Sequence, residues 1–135
     1  MRFLLDTNIC IYLIKNHPPE VLEKFRLYRP SEVAISTISL FELEYGVEKS
    51  SQRQRALLAL ERFLSPLPVV DLDRAAATEA ASIRARLEEK GTPIGPYDTL
   101  IAGVAKARGL TLVTNNVREF SRVEGLLVEN WVVSE

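Results

Sequence analysis

Four oxygen-bearing side chains, far apart in this 135-residue sequence, are candidates for a single chemical site. Asp6 stands in Leu4-Leu5-Asp6-Thr7-Asn8 and Glu42 in Ser39-Leu40-Phe41-Glu42. Asp98 follows the breaker-rich stretch 91–96, and Asn116 follows the apolar run 110–113. Carboxylates and an amide are hard donors, the set that suits Mg2+ or Mn2+ with waters completing the shell. Soft-ligand chemistry has little to work with. The single Cys10 can form neither an internal disulfide nor a Cys-rich zinc site, and the single His17 leaves no histidine pair for metal-independent catalysis. His17, beside Pro18-Pro19, is expected in a loop.

Each of the four also has an ordinary structural role. Asp6 or Thr7 can cap a helix N-terminus, and Glu42 completes an S-x-x-E capping box with Ser39. Asp98 suits the positive end of a helix dipole, and Asn115-Asn116 suits a turn. Taken together these roles explain less. Three carboxylates brought to one small edge disfavour each other's ionisation, and a divalent cation resolves that conflict.

The elements that must bring them together can be read from periodicity and breakers. Residues 2–5 predict a strand ending at the capping cluster Asp6-Thr7-Asn8, and Ile9, Tyr12 and Leu13 a helix stopping near Asn16. A second short helix is expected over 20–28, closed by Pro30. Val33–Ile35 predicts a strand, Ser39 the start of a helix with Glu42 in its first turn, and 52–64 another helix. A strand over 68–70 and an Ala-rich helix over 73–90 follow. Beyond the Gly/Pro cluster come a helix over 97–108 with Gly109 at its C′ position, a strand over 110–113, and a last strand over 126–128. Strands alternating with helices predict one α/β domain over 1–135 around a mostly parallel sheet. The strands' carboxyl ends would then form the edge where ligands bind.

Composition narrows the function classes. Hydrophobic residues make up 47% and charged residues 26%, with only 6 Gly and 7 Pro, so long disorder and collagen-like repeats are excluded. Lys and Arg number 17 against 18 acids, a net charge of −1 that excludes a bulk coat for nucleic acid. The N-terminal apolar run is broken by Asp6 and Asn8, and no apolar stretch suffices for a membrane span. A cytoplasmic protein is expected.

Four blocks in register carry a resemblance across nearly the whole chain. They are Leu4-Leu5-Asp6-Thr7-Asn8; Ser39-Leu40-Phe41-Glu42-Leu43-Glu44-Tyr45-Gly46; Pro93-Ile94-Gly95-Pro96-Tyr97-Asp98-Thr99; and Leu112-Val113-Thr114-Asn115-Asn116-Val117-Arg118-Glu119-Phe120. The sequence resembles the PIN-domain ribonucleases, and within them the VapC toxins of bacterial toxin–antitoxin pairs. The resemblance implies a three-layer α/β fold in which Asp6, Glu42 and Asp98 hold Mg2+ or Mn2+. It further implies hydrolysis of RNA by metal-activated water, leaving a 5′-phosphate and a 3′-hydroxyl. Exposed single-stranded loops, tRNA among them, are the implied substrate. A homodimer and a VapB antitoxin bound in a groove near the site are the implied partners.

Where many PIN domains carry a fourth acid, this sequence has Asn116, with Glu119 as a possible substitute. Weak or single-metal occupancy without RNA is therefore expected. Thr7, Asn8, Ser39 and Thr114 are candidates to orient the ligating groups. Lys49, Arg53, Arg55, Arg84 and Arg86, with Arg62 and Lys90 nearby, are candidates for RNA phosphate contact. The runner-up is a catalytically weak PIN domain that acts by binding RNA or protein. Phosphatases and receiver domains that also place Asp after a first strand fit less well, because position 8 is Asn and 112–115 holds no Lys. Setting the 3 candidate ligands aside leaves 15 acids against 17 basic residues, so near-neutrality does not exclude a local RNA site.

Overall fold

Strands too apolar to face water on either side dictate the architecture. The computed structural model describes residues 1–133. In it, β1 (Phe3–Leu5), β2 (Val33–Ser36), β3 (Val69–Val70), β4 (Thr111–Val113) and β5 (Val128–Glu129) form one sheet in the order β3-β2-β1-β4-β5. Every neighbouring pair is parallel. Seven helices connect and cover it: α1 (Thr7–Lys15), α2 (Pro19–Phe25), α3 (Thr37–Lys49), α4 (Arg53–Leu64), α5 (Arg74–Glu89), α6 (Pro96–Arg108) and α7 (Val117–Phe120).

The period of two along each strand divides the core. Phe3, Leu5, Val33, Ile35 and Val113 pack against α1 to α4 through Leu13, Leu43, Val47 and Leu60. Leu4, Ala34 and Leu112 face the opposite way, onto Ile83 and Leu87 of α5 and Ile101 and Val104 of α6. Burial on both faces is how an all-parallel sheet is stabilised, and Phe3, Leu4 and Leu5 are 0% exposed. The result is the expected three-layer α/β domain. Trp131 anchors the far end of the chain, 3% exposed, with its ring 5.4 Å from Phe3 and 5.8 Å from Tyr28. Among the described residues no helix is long and apolar enough to cross a membrane.

The register aligns the strands' carboxyl ends. Leu5 pairs with both Ile35 and Val113, so Asp6, the start of α3 and Thr114 emerge at one edge. On the other flank, α5 and α6 pack unusually closely because α6 has no side chain at Gly103. A Cβ there would lie 2.7 Å from Ala80 Cβ and 2.8 Å from the Ala76 carbonyl oxygen. Backbone cannot yield as a flexible side chain can, so Gly103→Ala is expected to destabilise the domain by about 1–3 kcal/mol, despite alanine's higher helix propensity. Urea denaturation would register this as a lower midpoint at unchanged slope.

Several boundaries differ from expectation. The helix expected from Ser39 begins at Thr37, because the cap is Ser36: its Oγ accepts the Ser39 backbone N–H at 3.1 Å. Glu42 therefore sits in the second turn of α3, and the Ser39–Glu42 capping box does not form. The helix expected over 20–28 ends at Phe25. The last strand is shifted to Val128–Glu129. The helix α7 was not anticipated, since four residues are too few to display a helical period.

Candidate active site

The acids gather where the register brings the strand ends together. Asp6 caps α1, its Oδ1 accepting the Ile9 backbone N–H at 2.9 Å, and its Oδ2 accepts a hydrogen bond from the Thr114 hydroxyl. Thr114, fully buried after β4, in turn accepts the Asn116 backbone N–H at 2.9 Å. One hydroxyl thus ties the ends of β1 and β4. Asp6 is at once a helix cap and a candidate site residue.

Thr7 makes the corresponding link to α3. Its hydroxyl donates to Glu42 Oε1 at 2.7 Å, and its Oγ1 lies 3.0 Å from Ser39 Oγ. A threonine has one hydroxyl proton; with that proton committed to Glu42, Ser39 is the donor to Thr7. Glu42 is thereby oriented by a residue 35 positions earlier in the chain. Thr7→Val should lower activity about 10- to 100-fold by releasing Glu42, whereas Thr7→Ser should restore most of it. Steady-state cleavage rates of the two variants provide the check.

Asp98 occupies the first turn of α6, half-buried, at the far side of the edge. Burial first, then the charges of Asp6, Glu119 and Glu42, push its carboxyl up to about 6. Asp6 is also raised, chiefly by burial and further by Glu42, against the opposing hydrogen bonds of Thr114, Ile9 and Asn8. The acids thus share one electrostatic field. Glu119, on α7, belongs to it. Asn116 is the N-cap residue of α7, beside Thr114, and its side chain makes no capping bond. Asn8 contributes through its backbone amide, while its side chain is exposed. Cys10, buried beneath Asp6, has its thiol pushed well up by burial and is inert packing.

These donors fit a hard divalent cation. The carboxylates crowd one edge, and the excess proton affinity of Asp98 is what an Mg2+ or Mn2+ ion would relieve. Among the described residues no three Asp, Glu, His or Cys side chains are already drawn tightly around a point. Asp6, Glu42 and Asp98 would have to close inward on an ion.

Two exposed aromatic side chains flank this edge and were not singled out as site residues from sequence. Phe41 precedes Glu42 and Tyr97 precedes Asp98; they meet edge-to-face with centroids 5.7 Å apart, 53% and 46% exposed. Their adjacency to two of the acids was the available signal. The basic candidates divide. Arg53 is paired with Glu48 at 2.7 Å and Arg84 with Glu88 at 3.2 Å. Arg55 bonds Gln52, and Lys49 lies over the Tyr45 ring. Arg86 lines a separate cleft.

The PIN-domain family profile matches residues 3–126. The chain belongs to the PIN-domain family. This PIN domain is 51% identical over 131 residues to the tRNA(fMet)-specific endonuclease VapC of Shigella flexneri, an alignment covering 97% of this chain and 98% of that protein. It is 42% identical over 132 residues to ribonuclease VapC2 of Rickettsia felis, covering 97% and 98% respectively. It therefore falls within the VapC group. Among solved structures, DNA-bound VapBC of Salmonella typhimurium superposes with a TM-score of 0.92 at 51% identity, covering 98% of this chain and 99% of the other. VapBC2 of Rickettsia felis, bound to a promoter DNA fragment, gives 0.91 at 41% identity, covering 98% and 100%.

Proposed function

We propose that this PIN domain is the endoribonuclease toxin of a toxin–antitoxin pair, acting in the cytoplasm on exposed single-stranded loops of structured RNA, tRNA foremost. The observation that carries the reading is the meeting of Asp6, Glu42 and Asp98 at one sheet edge in a chain of the VapC group. The tRNA assignment rests on the Shigella relative's name, and loops are where unpaired RNA bases are accessible to a protein.

The residues divide the work. Asp6, held by Ile9 and Thr114, and Glu42, held by Thr7, are pre-oriented oxygen donors. Asp98, its carboxyl raised by burial and by the charges of Asp6, Glu119 and Glu42, is the acid whose ionised form a bound cation would most favour. Asn116 offers an amide oxygen without charge, and Glu119 adds negative potential from α7. Bound Mg2+ or Mn2+ supplies Lewis acidity toward a phosphodiester and lowers the pKa of water. Since Asn116 brings no charge, calorimetric titration of the RNA-free protein should show at most one tight Mn2+ site.

Partner surfaces fit the same reading. A groove between α1, α3 and α4, with Ile11, Ile14, Leu43 and Val47 inside it and Lys15 and Lys49 at its rim, borders Glu42 and suits an apolar antitoxin segment. The solved VapBC complexes support a VapB partner. Phe41, Tyr45 and Tyr97 form an exposed aromatic face suited to a second copy of this chain.

The test is cleavage of total RNA and purified tRNA with Mg2+ or Mn2+, against the same reactions in EDTA. Cation-dependent cuts in tRNA loops, leaving 5′-phosphates, are expected. Intact RNA under all conditions would overturn the nuclease reading in favour of a binding module.

A further inference from the structure

Among the described residues, basic side chains without a carboxylate partner are mostly scattered over the surface, but several meet in one place. Arg86 of α5, Lys90 at its C-cap, Lys106 of α6 and Arg122 after α7 line a single cleft, together with Ser82 and Glu124. Among the described residues, Arg86, Lys90 and Arg122 have no carboxylate within ion-pair distance, and Lys106 reaches Glu79 only at 4.0 Å. Four cations against two acids, Glu124 in the lining and Glu79 beside Lys106, leave a local positive potential that the net charge of −1 conceals. Leu87 and Val123 supply apolar wall, which weakens solvent screening of those charges.

The cleft also adjoins the acid edge. The Arg122 backbone N–H donates to the Glu119 carbonyl at 3.1 Å, and its guanidinium donates to the Pro93 carbonyl at 3.2 Å, on the segment leading into α6. Glu119 is one of the acids acting on Asp98. Lys106 lies eight residues beyond Asp98 on the same helix, about 12 Å along its axis. Arg122 thus links the cleft to the acid edge, and Lys106, Arg86 and Lys90 complete its basic lining.

We propose that this cleft binds the sugar–phosphate backbone of the RNA substrate beyond the scissile position. It rests on the ribonuclease reading for the identity of the ligand. The cations give it affinity for phosphates whatever the sequence they join. Arg122, held by Pro93, keeps the cleft in fixed relation to Asp98.

Binding of a fluorescently labelled single-stranded oligoribonucleotide to the full chain in EDTA, followed by anisotropy over a salt series, tests this without requiring cleavage. The double variant Arg86→Gln/Lys90→Gln is expected to bind about tenfold more weakly and to lower the log–log salt slope by about 1.4, at ~0.7 per lost phosphate contact. An equal charge change elsewhere on the surface, Arg26→Gln/Arg29→Gln, should leave both values as in wild type. Wild-type affinity and slope in the Arg86/Lys90 variant would overturn the proposal, as would a wild type that does not bind RNA in EDTA. So would RNA binding that is unchanged while binding of the antitoxin is lost, which would make the cleft a protein contact. If RNA is bound with the expected slopes but never cut, the cleft stands and the nuclease reading fails. If it is cut but the slopes do not differ, the reverse holds.

Discussion

Asp6→Ala and Asp98→Asn should each reduce RNA cleavage by at least about a thousandfold, the equivalent of several kcal/mol of lost transition-state stabilisation from a metal site. The two variants probe different features of the edge. Asp6 is almost fully buried and joined to the Ile9 amide and the Thr114 hydroxyl, so its removal also uncaps α1 and leaves Thr114 without its acceptor. A further loss of about 1–3 kcal/mol in stability is expected from that substitution. Asp98 makes no capping bond, and amide for carboxylate preserves its shape, so Asp98→Asn removes charge alone. Single-turnover cleavage of tRNA by variants shown to be folded measures the effect. Retention of more than a tenth of wild-type activity by Asp98→Asn would show that this carboxylate does not hold the catalytic cation.

Asp98→Asn should at the same time make the metal-free protein more stable at pH 8. Burial and the charges of Asp6, Glu119 and Glu42 raise the Asp98 carboxyl from 3.8 to about 6. Between those values the folded chain holds a proton that the unfolded chain has released. Stability therefore falls as pH rises through that window and levels off above it. The penalty is complete at pH 8, and the amide escapes it. A rise of two units corresponds to about 3 kcal/mol, and the partial solvent exposure of Asp98 reduces the expected gain to about 1–2 kcal/mol. Thermal melts in EDTA at pH 5 and pH 8 are decisive: wild type should lose stability between them, and the variant should lose less. Added Mn2+ should raise the melting temperature of wild type more than that of the variant. An Asp98→Asn protein no more stable than wild type at pH 8 would mean the acids do not repel as their placement indicates. A variant that is more stable yet inactive would separate loss of chemistry from loss of fold.

The two results together bear on why the edge is built as it is. Three carboxylates and Glu119 sharing one field are a destabilising arrangement in a metal-free protein. The hydrogen bonds that Thr114, Ile9 and Thr7 give to Asp6 and Glu42 offset part of that cost and hold the oxygens in place. A divalent cation, on the proposed reading, would offset the remainder.

Much of this was legible in the sequence. The alternation of short apolar runs with helical periods is local information, so the α/β class, the order of elements and the boundaries of α4, α5 and α6 followed from it. The identities of Asp6, Glu42 and Asp98, each at a strand end or early in a helix, were equally local. What depends on how elements approach one another was not legible. Ser36 rather than Ser39 caps α3, because the backbone turn after β2 decides which hydroxyl reaches an unpaired N–H. Thr7 holds Glu42 across 35 positions, a bond that exists only once α1 and α3 are packed on the same face. Glu119 was named from sequence as a substitute acid, but its coupling to Asp98 depends on α7, which is too short to show a period. The cations divided in the same way: composition counts 17 of them, and only the packing of α5, α6 and the loop after α7 gathers Arg86, Lys90, Lys106 and Arg122 around one cleft. Sequence determined which groups this protein carries and on which elements; the tertiary structure decided which of them share a field, because electrostatic and hydrogen-bond energies depend on distances that chain order does not encode.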